Sequence, residues 1–265
     1  ATDRLESLLH QAAKGKPYQK DLEAYLAQEK AGLKDLDLAA EQQFLHQKLK
    51  GVSLLGDYSA KTKDAVMAMG ELISCKLVAQ ALRKRGVNAQ LVDSRKLFVT
   101  NGDFGEAHVD EGVSKVNVLQ RFSGFENGQV PIFTGFIGAN KTGDTTTLGR
   151  NGSNYTAALL ANFLDAEELV NYTHVNGIYT ANPDLVGDAH IIESLSYSEA
   201  NELANFGATI LHAKTIIPLL EKNIPLRILN TFNPKSNGTL ISAESGNGGI
   251  KSISVIDNRA LIVLE

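Results

Sequence analysis

The residues best suited to hold an anion lie in Thr145-Thr146-Thr147-Leu148-Gly149-Arg150-Asn151-Gly152-Ser153. A β-branched run gives way to a Gly-x-x-Gly turn, and an alanine- and leucine-rich stretch through Leu160 follows as a helix. Glycines let the backbone approach a ligand closely. A helix N-terminus adds free N–H donors and a positive dipole end. Arg150 contributes a planar, forked cation that matches a carboxylate or a phosphate. Ser153 is a favoured N-cap type for the helix. A plain strand–turn–helix corner with a surface arginine uses the same residues, and spacing alone leaves the two readings level.

Glu71 is the second group with chemical scope. The pattern Val66, Met69, Ile73, Leu77, Ala81 predicts a helix that starts at Ser59 or Thr62, runs to Arg85 and stops at Gly86. Gly70 falls in its middle, where a glycine costs about 1 kcal/mol relative to alanine. That cost suits a close approach of ligand or backbone, and Glu71 beside it can face a cationic group. An ordinary exposed glutamate fits equally well.

Other candidates carry less. The six histidines are scattered without zinc-like spacing, so no structural metal is expected. Cys75 has no disulfide partner and reads as a small buried hydrophobe in a reducing cytoplasm. Glu106, His108 and Asp110 alternate like a solvated face. The 265 residues carry a net charge of −4, which invites neither nucleic acid nor an anionic membrane. No run of about 18 apolar residues is apparent, so no membrane-spanning helix is expected. Neither end reads as a signal peptide.

Elements that could position these groups follow from periodicity. Residues 2 to about 50 read as two or more helices, with Leu5, Leu8, Leu9 and Ala12, then Leu22, Tyr25 and Leu26, then Leu45 and Leu49 on apolar faces. Strands are expected at 89–93, 97–100, 131–137 (central, buried on both faces), 169–172, 225–229 and 238–241; residues 101–112 form a loop or hairpin, and helices cover 197–206 and 213–222. Alternation of strands and helices predicts an α/β fold with a mostly parallel sheet. Ligands in such sheets bind at the carboxyl ends of the strands, so the loops after Ile137, Thr147, Tyr172 and Leu229 are candidates for one crevice. Residues 242–249 have linker composition, and strand-like stretches follow at 250–255 and 261–264.

Several motifs share one order: Phe133-Thr134-Gly135-Phe136-Ile137-Gly138, the 145–153 stretch, Asn176-Gly177-Ile178-Tyr179-Thr180, Phe206-Gly207-Ala208 with Leu211-His212, Asn230-Thr231 and Gly238-Thr239-Leu240-Ile241. In order and spacing they resemble the aspartate kinases of the amino-acid kinase family, most of all the kinase half of bifunctional aspartokinase–homoserine dehydrogenases. The resemblance implies a three-layer sandwich with a mainly parallel central sheet over 1–242. Residues 243–265 would then be a linker and the first strands of an ACT-like α+β regulatory region. The family's N-terminal strand, with its Lys-Phe-Gly-Gly, is not among these residues. The implied activity is transfer of the ATP γ-phosphate, with Mg²⁺, to the β-carboxylate of L-aspartate. A homo-oligomer, possible fusion to a homoserine dehydrogenase, and a cytoplasmic location are also implied.

Residue by residue, the resemblance assigns the aspartate α-carboxylate to Arg150, its amino group to Glu71, and the substrate side of the turn to Ser153. Thr173 and Tyr179 match nucleotide-lining positions. Other positions depart. Asn154 stands where the family has a catalytic aspartate, and Thr209 where it has a phosphate-contacting lysine. His174 replaces an aspartate, and Asn182 and Asp184 replace the aspartate and arginine of Asp-Pro-Arg, with Asp184 facing the nucleotide side. Losing one preorganised group commonly costs about 10²–10³ in rate. Two readings therefore stand: an active aspartokinase, in which a nearby lysine such as Lys214 substitutes, and a catalytically degenerate domain serving as a structural or amino-acid-sensing module.

Overall fold

The computed structural model describes residues 2–33, 35–205, 213–244 and 251–253. The expected Phe206-Gly207-Ala208 and Leu211-His212 motifs, Thr209, most of the 242–249 linker and the strands expected after 250 lie outside them, apart from residues 251–253. The chain divides into two compact units, Ala1–Ser153 and Asn154–Glu265.

The first unit opens with three helices, α1 (Thr2–Ala13), α2 (Gln19–Lys30) and α3 (Ala39–Leu55). Leu5, Leu8, Leu9 and Ala12 recur at helical spacing and bury one face of α1. They share a core with Leu22 and Tyr25 of α2, Leu45 and Leu49 of α3, and Val66 and Ile73 of the long helix α4 (Ala60–Lys84). The Ser59 hydroxyl caps α4 by accepting the Thr62 N–H. The Lys76–Glu41 ion pair, at 2.6 Å, ties α4 to α3. By length and composition α4 could cross a membrane, contrary to the expectation that no such stretch exists. Its apolar side chains instead fill the core, and it carries buried Asp64 and half-buried Glu71.

Strand β1 (Ala89–Val92) pairs in parallel with β3 (Val130–Phe133), and β2 (Val99–Thr100) in parallel with β4 (Ile137–Asn140). Strand β5 (Thr145–Thr147) returns antiparallel to β4. The single strand expected over 131–137 is thus two strands in different ladders. The cause lies at Thr134-Gly135-Phe136. Thr134 N–H still bonds to Val92, but Phe136 has a left-handed φ of 68°, and Ile137 N–H closes a tight turn onto the Gly135 carbonyl. Nor is the stretch fully buried, since Pro131, Ile132 and Phe133 are only partly buried. Between 101 and 110 a loop forms as expected. A further helix, α5 (Glu111–Phe122), follows it, capped by Asp110, which accepts the Val113 N–H. The sequence reading assigned no element there.

In the second unit, α6 (Gly152–Phe163), whose first turn begins in the first unit, leads into β6 (Leu169–Thr173). Strand β7 (Ser194–Ser196) and helices α7 (Tyr197–Asn205) and α8 (Ala213–Glu221) precede β8 (Leu226–Asn230) and β9 (Thr239–Ser242). The strands lie in the order β6-β8-β9-β7, with β6–β8 and β7–β9 parallel and β8–β9 antiparallel. Leu195, Leu219, Leu226, Ile228 and Ile241 form this unit's core. Parallel pairing predominates in both units, and the α/β class holds.

Candidate functional site

Glu71 lies in the middle of α4 as expected. The Ser153 hydroxyl hydrogen-bonds to its carboxylate. Burial raises the Glu71 pKa, and the Ser153 hydrogen bond works against that rise. Two glycines permit the approach. A β-carbon at Gly135 would lie 2.9 Å from the Ser153 Cβ, and one at Gly152 would lie 2.7 Å from the Phe136 ring. The sequence reading credited Gly149 and Gly152 with close approach of the backbone to a ligand. The contact at Gly135 shows that empty space matters as much.

The turn itself has two left-handed residues, Gly149 (φ 78°) and Asn151 (φ 55°). Gly152 N–H bonds back to the Gly149 carbonyl at 3.1 Å. Helix α6 starts at Gly152, so Ser153 lies within its first turn and is not the N-cap expected from sequence. Its hydroxyl is consequently available to Glu71. Arg150 lies on the turn with its side chain exposed, three residues before Ser153. The structure therefore brings Glu71 and Ser153 into contact and places Arg150 on the same short turn.

One turn further along α4, Cys75 donates to the Phe133 carbonyl at 3.5 Å. Burial, with the nearby Glu71 charge adding to it, pushes its thiol up to about 11. It is half-buried, as a small apolar residue would be, and poorly suited to nucleophilic work. Glu106, His108 and Asp110 are exposed, as expected.

What the sequence did not single out is Asp64, two helical turns before Glu71 and only 1% exposed. Its Oδ2 accepts the N–H groups of Thr147 (2.8 Å) and Gly105 (2.9 Å), and its Oδ1 accepts the Thr147 hydroxyl (2.9 Å). An inward-facing Asp in an apolar helix pattern was the available signal. Buried carboxylates need such partners.

In the second unit Thr173 ends β6 and exposed His174 follows it. Asn230, at the end of β8, donates through Nδ2 to the His174 carbonyl (3.2 Å) and to Asn176 Oδ1 (2.8 Å). Asn233 donates to the same Asn176 oxygen at 3.1 Å. These asparagines fix the loop after β6; the sequence reading named Asn176 and Asn230 only within the ordered motifs and did not single out Asn233. Gly177 is required here, since a β-carbon on it would lie 2.7 Å from the Thr239 hydroxyl. Tyr179 is half-buried, forms a bridge with Ile191, and accepts the Ser252 hydroxyl at its carbonyl (3.0 Å). Asp184 is exposed, and its N–H bonds to the Asn182 side chain at 3.0 Å in a local turn. Asn154 lies half-buried in the first turn of α6.

The sequence model of the amino acid kinase family matches residues 8–230. The chain belongs to that family. Among curated relatives, Lysine-sensitive aspartokinase 3 of Escherichia coli (strain K12) is 39% identical over 203 residues, covering 76% of this chain and 45% of its own length. The chloroplastic bifunctional aspartokinase/homoserine dehydrogenase 2 of Arabidopsis thaliana is 33% identical over 284 residues, covering 100% of this chain and 31% of its own length. The chain thus spans less than half of either relative. A crystal structure of E. coli aspartokinase III in complex with aspartate and ADP superposes with a TM-score of 0.78 at 34% identity, covering 92% of this chain and 56% of that one. The amino-acid kinase fold inferred from the ordered motifs is therefore present, and it is an aspartokinase-type kinase domain.

Proposed function

We propose that this kinase domain binds L-aspartate and directs its β-carboxylate to the γ-phosphate of ATP. The observation that carries the reading is the Glu71–Ser153 hydrogen bond beside the turn that bears Arg150. Arg150 pairs with the α-carboxylate through a forked, charge-assisted contact. Glu71 accepts from the α-ammonium group, and Ser153 holds Glu71 in register. The substrate is then fixed at its α-end, leaving the β-carboxylate as the nucleophile. Phosphoryl transfer is chiefly a matter of alignment and charge neutralisation, so a gripped α-end is a direct contribution to rate. The complex of aspartate and ADP with the similar E. coli enzyme supports the choice of ligands.

On the nucleotide side the reading assigns the ATP-lining positions to Thr173, His174, Tyr179 and Asp184. Among the described residues no group of three or more His, Cys, Asp or Glu could hold a metal ion by itself, whereas Mg²⁺ beside a nucleotide needs only one or two carboxylates with phosphate oxygens and water. Any Mg²⁺ would arrive with the ATP phosphates.

A second reading has its own support. Asn154 and Thr209 occupy positions where the resemblance places a catalytic aspartate and a lysine, and exposed Asp184 puts an anion where it places an arginine. A unit charge at 4 Å is worth roughly 4 kcal/mol at an effective dielectric of 20. On this reading the domain binds an amino acid without transferring phosphate, as a structural or sensing module of a bifunctional protein. Calorimetric titration with L-aspartate and with Mg-ATP, beside a coupled ADP-release assay, separates the two. Aspartate-dependent ADP release establishes the kinase. Aspartate binding without turnover favours the degenerate module, and no aspartate binding removes the kinase reading.

A further inference from the structure

We propose that Asp64 is the positioning residue of the aspartate pocket, setting Arg150 against Glu71 through strand β5. The inference rests on the functional reading above. Asp64 and Glu71 are seven residues apart on α4, which is two turns and about 10 Å along the axis. Thr147, which gives Asp64 both its N–H and its hydroxyl, is three residues before Arg150. One carboxylate on the helix that presents Glu71 thus grips the strand that presents Arg150.

The same carboxylate holds the other wall of the turn. Gly105 donates its N–H to Asp64, and Ala107 N–H bonds to the Thr147 carbonyl at 2.9 Å. The intervening Glu106 then lies so close that a β-carbon on Gly149 would meet its Cγ at 2.8 Å. Leu148 N–H bonds to the carbonyl of Phe136 at 2.9 Å, completing the frame. Between Thr147 and Gly152 the backbone has little freedom left, and Arg150 projects from its middle.

An apolar residue of similar size at position 64 would fill the space without the cost of desolvating a charge. It would not define a register, because dispersion contacts are not directional. Three donors converging on two oxygens do define one.

The test uses this chain with three substitutions. Asp64→Asn replaces one acceptor with an N–H₂ group that faces donors. Thr147→Val removes the hydroxyl but keeps the N–H bond, and Thr147→Ser keeps both. Calorimetry gives the affinity ratio of L-aspartate to its α-amide, which lacks the charge that Arg150 grips. A protein that is merely less stable loses affinity for both ligands alike and keeps its ratio. We expect the ratio to fall about tenfold or more in Asp64→Asn, less in Thr147→Val, and not at all in Thr147→Ser. A folded Asp64→Asn with the wild-type ratio overturns the proposal. If that variant does not fold, Thr147→Val decides by the same criterion.

Amide hydrogen exchange over 145–152 in the ligand-free protein provides a second readout. Exchange there should quicken about tenfold in Asp64→Asn while β6 is unaffected. Unchanged exchange also overturns the proposal. Should the wild type bind no aspartate, the functional reading fails, and exchange alone still decides whether Asp64 fixes the Arg150 turn.

Discussion

In the first unit, one carboxylate with 1% exposure takes three donors and so fixes a loop, a strand and a turn. In the second, half-buried or exposed amides do the comparable work: Asn230, Asn176 and Asn233 tie the loops after β6 and β8. The difference lies in what happens when a partner is lost. A buried donor stripped of its acceptor is left without water, whereas an exposed amide exchanges one partner for solvent. The residues proposed to grip aspartate thus stand on the stiffer support. Thr173 and His174, proposed to line the nucleotide, adjoin the more open amide network; His174 departs from the aspartokinase pattern there, whereas Asn154 departs from it in α6.

That contrast breaks most readily at Asp64. Asp64→Ala leaves the buried Thr147 N–H and hydroxyl without acceptors, while exposed Gly105 can turn to water, and should cost about 3 kcal/mol in denaturant unfolding. A loss below about 1 kcal/mol would mean that water replaces the carboxylate and that the support is not stiff.

Arg150→Ala comes next. Its side chain is exposed, so stability should hold while the calorimetric Kd for L-aspartate rises about 10²-fold, the equivalent of roughly 2.7 kcal/mol. An unchanged Kd places the α-carboxylate elsewhere.

Glu71 sharpens the comparison through pH. Its folded-state pKa is raised, first by burial and against the Ser153 hydrogen bond. The folded state therefore binds a proton at a pH where the unfolded chain has released it. Its contribution to stability is present at low pH and falls as pH rises through that window. Glu71→Gln should accordingly melt higher than wild type at pH 7 while binding L-aspartate less well. In the wild type, aspartate affinity should decline as pH falls through the raised pKa, above the range of an ordinary glutamate. A Glu71→Gln protein that melts lower at pH 7 contradicts the assigned cause.

The smallest effect is expected in the second unit. Asn230→Ala should cost about 1 kcal/mol, since its partners are half-open to water. A loss matching that of Asp64→Ala would erase the distinction between the two supports.

By itself the sequence determined what local chemistry controls. The apolar spacing and the Ser59 cap define α4, the leucine pattern defines α1 to α3, and the β-branched residues before Gly149 end as β5. The order of the motifs gave the family and, by resemblance, Glu71, Arg150 and Ser153. Tertiary structure decided what depends on residues far apart in the chain. The left-handed turn at Phe136 split an apolar run into two strands, because each half found a different parallel partner. Ser153 is not a cap because the turn at Asn151 starts the helix two residues earlier, at Gly152, which frees its hydroxyl for Glu71. Asp64 was passed over because a carboxylate in a helix pattern commonly reads as a solvated side chain, and its inward position was the one signal against that. Only folding brings Gly105 and Thr147, 41 and 83 residues away, to donate to it. Periodicity encodes which face of an element is buried, but the partner of a buried polar group is set by chain reversal, and no local signal carries it.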